Sequence, residues 1–448
     1  MFEYSICTGT LNLRSNFQKR LFRDKVEEKV FSKTRGGEQL TQPYFYGAVP
    51  ITIQTSDADR QEILREFPAP KLVSGSETFD IEQAQAGNRL NNARFLYIDH
   101  SVERTKTDKP YLKIRFSNNV CTINTKMWDN DGSVATSIPL LEEYAVFEIA
   151  GKVEEYQGFK SVTIDQLMPV TRQVNPFSLI PATQQSLEDF IVELYCYVQE
   201  TEEPYRTLIM STMKRFWNDF SVRPAAKGHH HAYLGGLLKH TVGLMRLARY
   251  IVKSTNPYKG ILELIAVIER EYKNELRKDY MSDNPGGNVR NLVWRDAIDH
   301  VYNHFYSMVK YKEEIPNASR LICSIFYHDL GKLLEYHHAG KGYDDFRFLF
   351  PTADLSALEE RRPTGISMDP IGMYVGHIPY GTMLLAKMLE TEHISLPIAD
   401  VHQLMHNILC HHDKLEWGAC VTPATMEGHL IHIVDFLDSR YERTEEIK

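Results

Sequence analysis

The spacing of apolar residues changes period near residue 175, and this change limits the architecture more than any other feature of the chain. From about 88 to 170 apolar and polar residues alternate in short runs, the pattern of half-buried strands. Beyond "NPFSLIPAT" the apolar residues recur every three to four positions, as in "SLEDFIVELYCYVQE" and "YRTLIMSTMKRFWNDF", and continue so to the C-terminus. That is the period of helices with one buried face. A chain of 448 residues is also too long for a single core.

The alternating region holds five strand candidates: "NARFLYIDHSVER", "PYLKIRFS", "VCTINTKMWD", "YAVFEIAGKVEEY" and "GFKSVTIDQLMPV". Five strands in so short a span suit a small barrel such as an OB-fold. The expected fold class is multidomain α+β, a five-stranded OB-like β-barrel followed by an all-α domain. The expected boundaries are 1–70 for an N-terminal extension of unassigned role, 71–175 for the barrel and 185–448 for the helical domain. A charged helix, a Pro-Gly-Gly loop and a further helix over about 254–318 read as an insertion in the helical part. Within the extension, "NFQKRLFRDKVEEKVFSK" reads as a basic amphipathic helix, "PYFYGAVPITIQ" as a strand and "FPAPKLVSGSE" as a linker.

No run of 18 apolar residues predicts a membrane span, and "MFEYSICTGTLNLRSN" lacks the basic-then-apolar order of a secretion signal. The six cysteines form no CxxC pair, which points to a reducing cytoplasm rather than to disulfides or thiolate zinc. A net charge of -8 argues against coating nucleic acid through bulk electrostatics but leaves room for a local groove. Such a groove is expected on the barrel. If Asn118-Asn119 makes a two-residue hairpin turn, Leu112, Ile114, Phe116, Cys121, Ile123 and Thr125 face the core. Tyr111, Lys113 and Arg115 then share the outer face with Asn124, Lys126 and Trp128. Cations interleaved with rings suit single-stranded RNA or DNA, because bases stack while lysine and arginine follow phosphates. The same pattern also fits a solvated face with one packed tryptophan.

Most of the 18 histidines fall after residue 229. In "LGGLLKHTVGLMRLARYIV" His240 lies inside the apolar stripe formed by Leu237, Leu244, Leu247 and Ile251. "RLICSIFYHDLGKLLEY" reads as a second apolar helix carrying His328 and Asp329, with Lys332 following on the same side. An acid and a histidine buried together are costly unless they are paired or bound to metal. Gly331 leaves space where a phosphate would approach. "GHIPYG" offers His377 before a helix that Pro379 opens, "CHHDKLEWG" offers His411 and His412, and "HIVDFLDSR" places Asp435 among apolar residues.

The order His, His-Asp, His, His-His, Asp on successive apolar helices resembles the HD-domain metal phosphohydrolases. "HHAYLGGLLKHT", "YHDLGK", "GHIPYG", "HHDKLEWG" and "HIVDFLDSR", following a barrel with "KMWD" and "GKVEEYQG", resemble the YhaM-type 3′→5′ exoribonucleases within that superfamily. The resemblance covers roughly residues 72–443. The interval from His240 to His328 is longer than the family's, and the first 70 residues are extra.

The resemblance makes the helical half an HD phosphohydrolase domain. It implies one ion held by His240, His328, Asp329 and Asp435, and a second held by His377 with His411, His412 or both. Asp329 would bridge the two, and Lys332 would stabilise charge on the phosphate. Imidazole with carboxylate and no thiolate suits two divalent ions, Mn²⁺ first, with Co²⁺, Fe²⁺ or Zn²⁺ as alternatives. His230 and His231, in a triplet expected to be exposed, would line the substrate entrance. His337 and His338 are expected in solvated loop, and His429 and His432 as packing residues.

The implied activity is metal-dependent 3′→5′ trimming of single-stranded RNA, or also DNA, to nucleoside 5′-monophosphates in the cytoplasm. No membrane partner is expected, and a homo-oligomer is compatible with the pattern. The rival readings are a phosphohydrolase of nucleotides or cyclic dinucleotides, the HD portion of a relaxase-like DNA-processing protein, and a single-strand-binding module with a vestigial HD core.

Overall fold

The computed structural model describes residues 44–442 apart from 54, 73–78, 157, 173, 228–230, 255 and 282–292. The side chains of 176–177, 272–281, 293–297 and 359 are also outside the description. The helix expected near residues 17–30, and His229 and His230, lie outside the described residues. Every described residue belongs to one compact unit, Gln39–Lys448.

The segment "YFYGAV", read from sequence as a strand, is a tight turn. Gly47 N donates to Tyr44 O, Phe45 and Tyr46 take positive φ, and one bridge joins Tyr44 to Val49. The apolar content that suggested a strand instead inserts Tyr44, Phe45, Val49 and Ile51 into the helical core. Helix α1 (Asp57–Glu66) follows, started by a capping box between Ser56 and Asp59, and adds Ile63 to that core.

Strands β1 (Arg89–Arg104), β2 (Pro110–Ser117), β3 (Thr122–Trp128), β4 (Val146–Tyr156) and β5 (Phe159–Pro169) close into a barrel of order β1-β2-β3-β5-β4. Closure removes the free edges that an open sheet would present. Phe95, Phe116, Phe147 and Ile149 are among its fully buried filling. Helix α2 (Ser133–Glu143) links β3 to β4 and was not legible as a helix, since Gly132 and Pro139 punctuate it.

The β2–β3 hairpin corrects the expected register while keeping its faces. Asn118 N donates to Cys121 O, so the turn centres on Asn119-Val120, and Tyr111 pairs with Trp128. No positive φ is used there. Instead the Asn118 side-chain oxygen accepts from Val120 N and Cys121 N, both at 2.8 Å. The shift is two residues, an even number, so inward and outward positions are preserved.

The second half contains α3 (Leu187–Gln199), α4 (Tyr205–Phe220), α5 (Gly236–Lys253), α6 (Pro257–Met281) and α7 (Val293–Ser307). It continues with α8 (Ala318–His328), α9 (His377–Thr391), α10 (Ile398–Cys410) and α11 (Met426–Tyr441). Helices α5, α8, α10 and α11 pack around one apolar core. The run expected as one helix through residue 336 breaks. Helix α8 ends at His328, Asp329 caps it, and a short turn Lys332–Glu335 resumes after Gly331. A Cβ at Gly331 would lie 1.9 Å from His377 O, so this glycine admits the start of α9 rather than a phosphate. No helix among the described residues is long and apolar enough to cross a membrane.

The barrel leans on the helical part through β1 and β2. Gly365 N donates to Tyr97 O, Ser117 Oγ donates to Leu179 O, and the Arg362 guanidinium lies 4.3 Å over the Tyr97 ring. Lys227 Nζ, on the loop between α4 and α5, lies 3.9 Å from Asp99 of β1.

Candidate metal centre and nucleic-acid face

The helix breaks bring seven predicted ligands to one place. His240 Nε2, on α5, lies 3.2 Å from Asp435 Oδ1 of α11 and 3.4 Å from His328 Nε2 at the end of α8. Asp329 Oδ2 is 3.3 Å from His328 Nε2 and 3.5 Å from His240 Nε2. Its other oxygen, Oδ1, faces the opposite way, 3.6 Å from His377 Nε2 and 3.9 Å from His411 Nε2. His412 joins His377 and His411 in the same cluster. One carboxylate thus presents one oxygen to each of two groups of nitrogens.

The outer contacts decide which ring nitrogen is available. His328 Nδ1 donates to Ile325 O at 2.6 Å, His411 Nδ1 to Ile408 O at 2.7 Å and His412 Nδ1 to Trp417 O at 2.8 Å. A carbonyl can only accept, so these rings carry their proton on Nδ1 and turn a lone pair inward from Nε2. His377 Nδ1 is held by Glu335 Oε2 and His240 Nδ1 by Asp438 Oδ2, each at 2.7 Å. Asp329 Oδ1, His377 Nε2 and His411 Nε2 are buried without any hydrogen-bond partner. Buried polar atoms are seldom left so. Unpartnered lone pairs converging from separate helices fit a divalent cation of borderline softness.

The electrostatics agree. Burial pushes the Asp329 carboxyl up, but His328 and Lys332 pull it well below the usual carboxylate range. Burial also holds the His411 imidazole far below its ordinary value, which leaves it neutral as ligation requires. For His240 burial acts downward, yet Asp435 and Asp438 raise it to about 10, so a cation entering there displaces a proton.

Two supporting residues escaped the sequence reading. Asp438 accepts from His240, from His231 Nε2 at 3.1 Å and from Tyr44 Oη at 2.6 Å. Its signal was the Asp435-x-x-Asp438 spacing, which puts both acids on one face of α11. A Cβ at Gly243 would lie 2.1 Å from Asp438 Oδ1, so the glycine on α5 is what lets this carboxylate close in. Glu335, three residues after Lys332, escaped because its partner His377 is remote in sequence.

The structure departs from two expectations. His231 is not exposed. It sits at 3% exposure with φ 57°, and this left-handed turn folds its ring inward onto Asp438 and Tyr233. His337 and His338 are buried rather than solvated, because the segment after the Lys332–Glu335 turn runs under residues 362–368. The Lys332 ammonium contacts Asp329 Oδ2 and Ala225 O, which uses two of its three N–H donors.

On the barrel, Tyr111 and Trp128 pair across β2 and β3 with ring centroids 5.1 Å apart, and Trp128 is 41% exposed. Lys113 stands directly opposite Lys126, an unfavourable pairing of like charges that a bound anion would relieve. Acids answer part of this charge: Arg115 Nε lies 2.7 Å from Asp99 Oδ1, and Lys113 lies 3.6 Å from Glu103. The β4–β5 hairpin adds Tyr156 and Phe159, 72% and 63% exposed, which the sequence reading did not single out. Their signal was the aromatic pair flanking a glycine turn.

Among curated proteins, the 3′-5′ exoribonuclease YhaM of Listeria welshimeri is 21% identical over 357 residues, spanning 79% of this chain and 86% of the relative. YhaM of Bacillus subtilis is 22% identical over 355 residues, 78% of this chain and 84% of the relative. The chain is a distant relative of the YhaM proteins. The similarity runs too far along both chains to be confined to the barrel or to the helical half. YhaM of a Geobacillus strain is similar at 21% over 338 residues. No protein-family model matches the chain.

Proposed function

We propose that this protein is an HD-type, metal-dependent phosphodiesterase that removes nucleotides from the 3′ end of single-stranded RNA, with single-stranded DNA as a second substrate. The observation that carries the reading is Asp329, whose two oxygens face two separate groups of inward-turned imidazoles. His240, His328 and Asp435 would hold one divalent ion with Asp329, and His377, His411 and His412 the other. Manganese suits this donor set first. Divalent ions in such a pair polarise phosphoryl oxygens and acidify water.

The chain's own part is orientation and charge. Asp438, Glu335 and the three backbone carbonyls fix the imidazole rings. Lys332 keeps Asp329 ionised and in place, a positioning role. Trp128, Tyr111, Tyr156 and Phe159 would stack bases while Lys126, Lys113 and Arg115 follow phosphates. The barrel meets the helical part beside the Lys227 loop, whose Ala225 carbonyl contacts Lys332, so a strand on the barrel has a short route to Asp329. A polymer grip of this kind favours RNA over free nucleotides. The names of the YhaM relatives support the same direction of attack.

The test uses end-labelled oligomers with Mn²⁺ and the full-length protein. A 5′-labelled strand should shorten stepwise to a ladder, and a 3′-phosphorylated strand should resist. Equal cleavage of both, or internal cuts without a ladder, would overturn the assignment.

A further inference from the structure

A second cluster of imidazoles and carboxylate adjoins the first, built on His432, one turn before Asp435 on α11, and shares none of its proposed ligands. His300 and His304, one turn apart on α7, face His432 of α11 and Asp413, which follows the His411-His412 pair. His300 Nε2 is 2.8 Å from His432 Nε2, and His304 Nδ1 is 3.2 Å from Asp413 Oδ1. All four donor atoms lie within 4.8 Å of one another. Zinc–ligand bonds near 2.0–2.1 Å at tetrahedral angles put donors about 3.3 Å apart, so this set needs little adjustment.

The hydrogen bonds leave lone pairs aimed at the centre. His432 Nδ1 lies 2.7 Å from His411 O, a carbonyl that can only accept, so its Nε2 carries a lone pair toward His300. His304 Nε2 lies 3.1 Å from His429 O, which leaves Nδ1 as the acceptor end of the ring. That Nδ1 is buried with no hydrogen-bond partner, although a carboxylate oxygen is 3.2 Å away. A lone-pair nitrogen and a carboxylate oxygen at that distance repel unless a cation or a second ring proton stands between them. Asp413 is also held at φ 65°, a left-handed position where an acid is tolerated at some cost, and this turn aims it at α7.

We propose that His300, His304, Asp413 and His432 bind a structural zinc ion that staples α7 to the turn carrying His411 and His412. Three imidazoles and one carboxylate complete a tetrahedron with no open position, the pattern of a structural rather than a catalytic site. The spacing of His300 and His304, one helical turn apart, is that of a chelating pair on one helix face. The cluster opens on a cleft of about 510 Å³ lined by Trp417, Phe436 and Arg440, which gives the ion a path in.

The inference does not depend on the catalytic reading, and the experiment separates them. Full-length protein is stripped of metal, given excess zinc, desalted and counted by elemental mass spectrometry. Asp329→Ala should retain one tightly held zinc, and Asp329→Ala combined with His300→Gln should retain none. Retention of that zinc in the combined variant would place it in one of the two groups around Asp329 and overturn the proposal, as would a zinc-free Asp329→Ala protein. If the combined variant fails to fold by circular dichroism, zinc-edge X-ray absorption on Asp329→Ala decides. Three nitrogen neighbours with a protein carboxylate support the site, and a nitrogen-only shell completed by water rejects it.

Discussion

The candidate metal centre and the outer face of the barrel were both read from charged residues set in an apolar rhythm, yet they differ in how the charge is satisfied. At the centre Asp329, Lys332, His240, His328 and His411 are buried, and burial allows few solutions: Asp329 must find a cation, and each imidazole must tie off one nitrogen. On the barrel the charges are partly solvated, and neighbours remote in sequence share them. Arg115 has Asp99, Lys113 has Glu103, and Lys126 has no carboxylate partner among the described residues. Sequence order therefore specifies roles where water is excluded and loses that power where water competes.

The largest expected effect breaks the centre. Asp329→Ala removes the carboxylate that faces both groups and should reduce exonuclease turnover more than about 10³-fold. Steady-state rates with metal content measured on the same sample check this, and full activity at unchanged stoichiometry would sink the bridging role. One shell out, Asp438→Asn keeps the shape but weakens the hold on His240, His231 and Tyr44. Activity or manganese affinity should fall roughly 10–100-fold. Raising the manganese concentration should restore part of the rate, a rescue that a folding defect would not show.

On the barrel the effects should be smaller and of a different kind. Lys126→Ala with Trp128→Ala removes one cation and one stacking platform, the latter alone being about 1–3 kcal/mol. The KM for a long single strand should rise about tenfold with kcat nearly kept, the dependence on salt should flatten, and hydrolysis of a nitrophenyl phosphodiester should persist. Equal loss on both substrates would make Trp128 part of the catalytic support instead. The smallest effect has the opposite sign. Asp99→Asn frees Arg115 and Lys227 from an acid, so RNA should bind a few-fold tighter at low salt and indistinguishably at high salt. A weaker complex at low salt would show that Asp99 orients Arg115 toward the strand.

The parts legible in the sequence were those in which one physical constraint dominates. The barrel's five strands follow from alternation, and the inward faces of β2 and β3 survived a turn placed one residue off because side-chain direction repeats every two residues. His240, His328, Asp329, His377, His411 and Asp435 were visible as polar atoms within apolar helices. What stayed hidden depends on long-range contact. Tyr44 reaches Asp438 across nearly the whole chain, His231 turns inward through one left-handed residue, and His300 and His304 meet Asp413 only because α7 packs on α11. Lys332 was placed on the correct side, but its partner was not, since the break after His328 brings it to Asp329 and Ala225.

The central claim is that Asp329 joins two cations into one centre, and electron paramagnetic resonance tests it most directly. Full-length His300→Gln protein, chosen to keep the α7 cluster empty, is loaded with two equivalents of Mn²⁺ and compared with the same protein carrying Asp329→Ala. The account predicts the spectrum of an exchange-coupled manganese pair in the first and its loss in the second. Two independent mononuclear signals in the protein that retains Asp329 would contradict it.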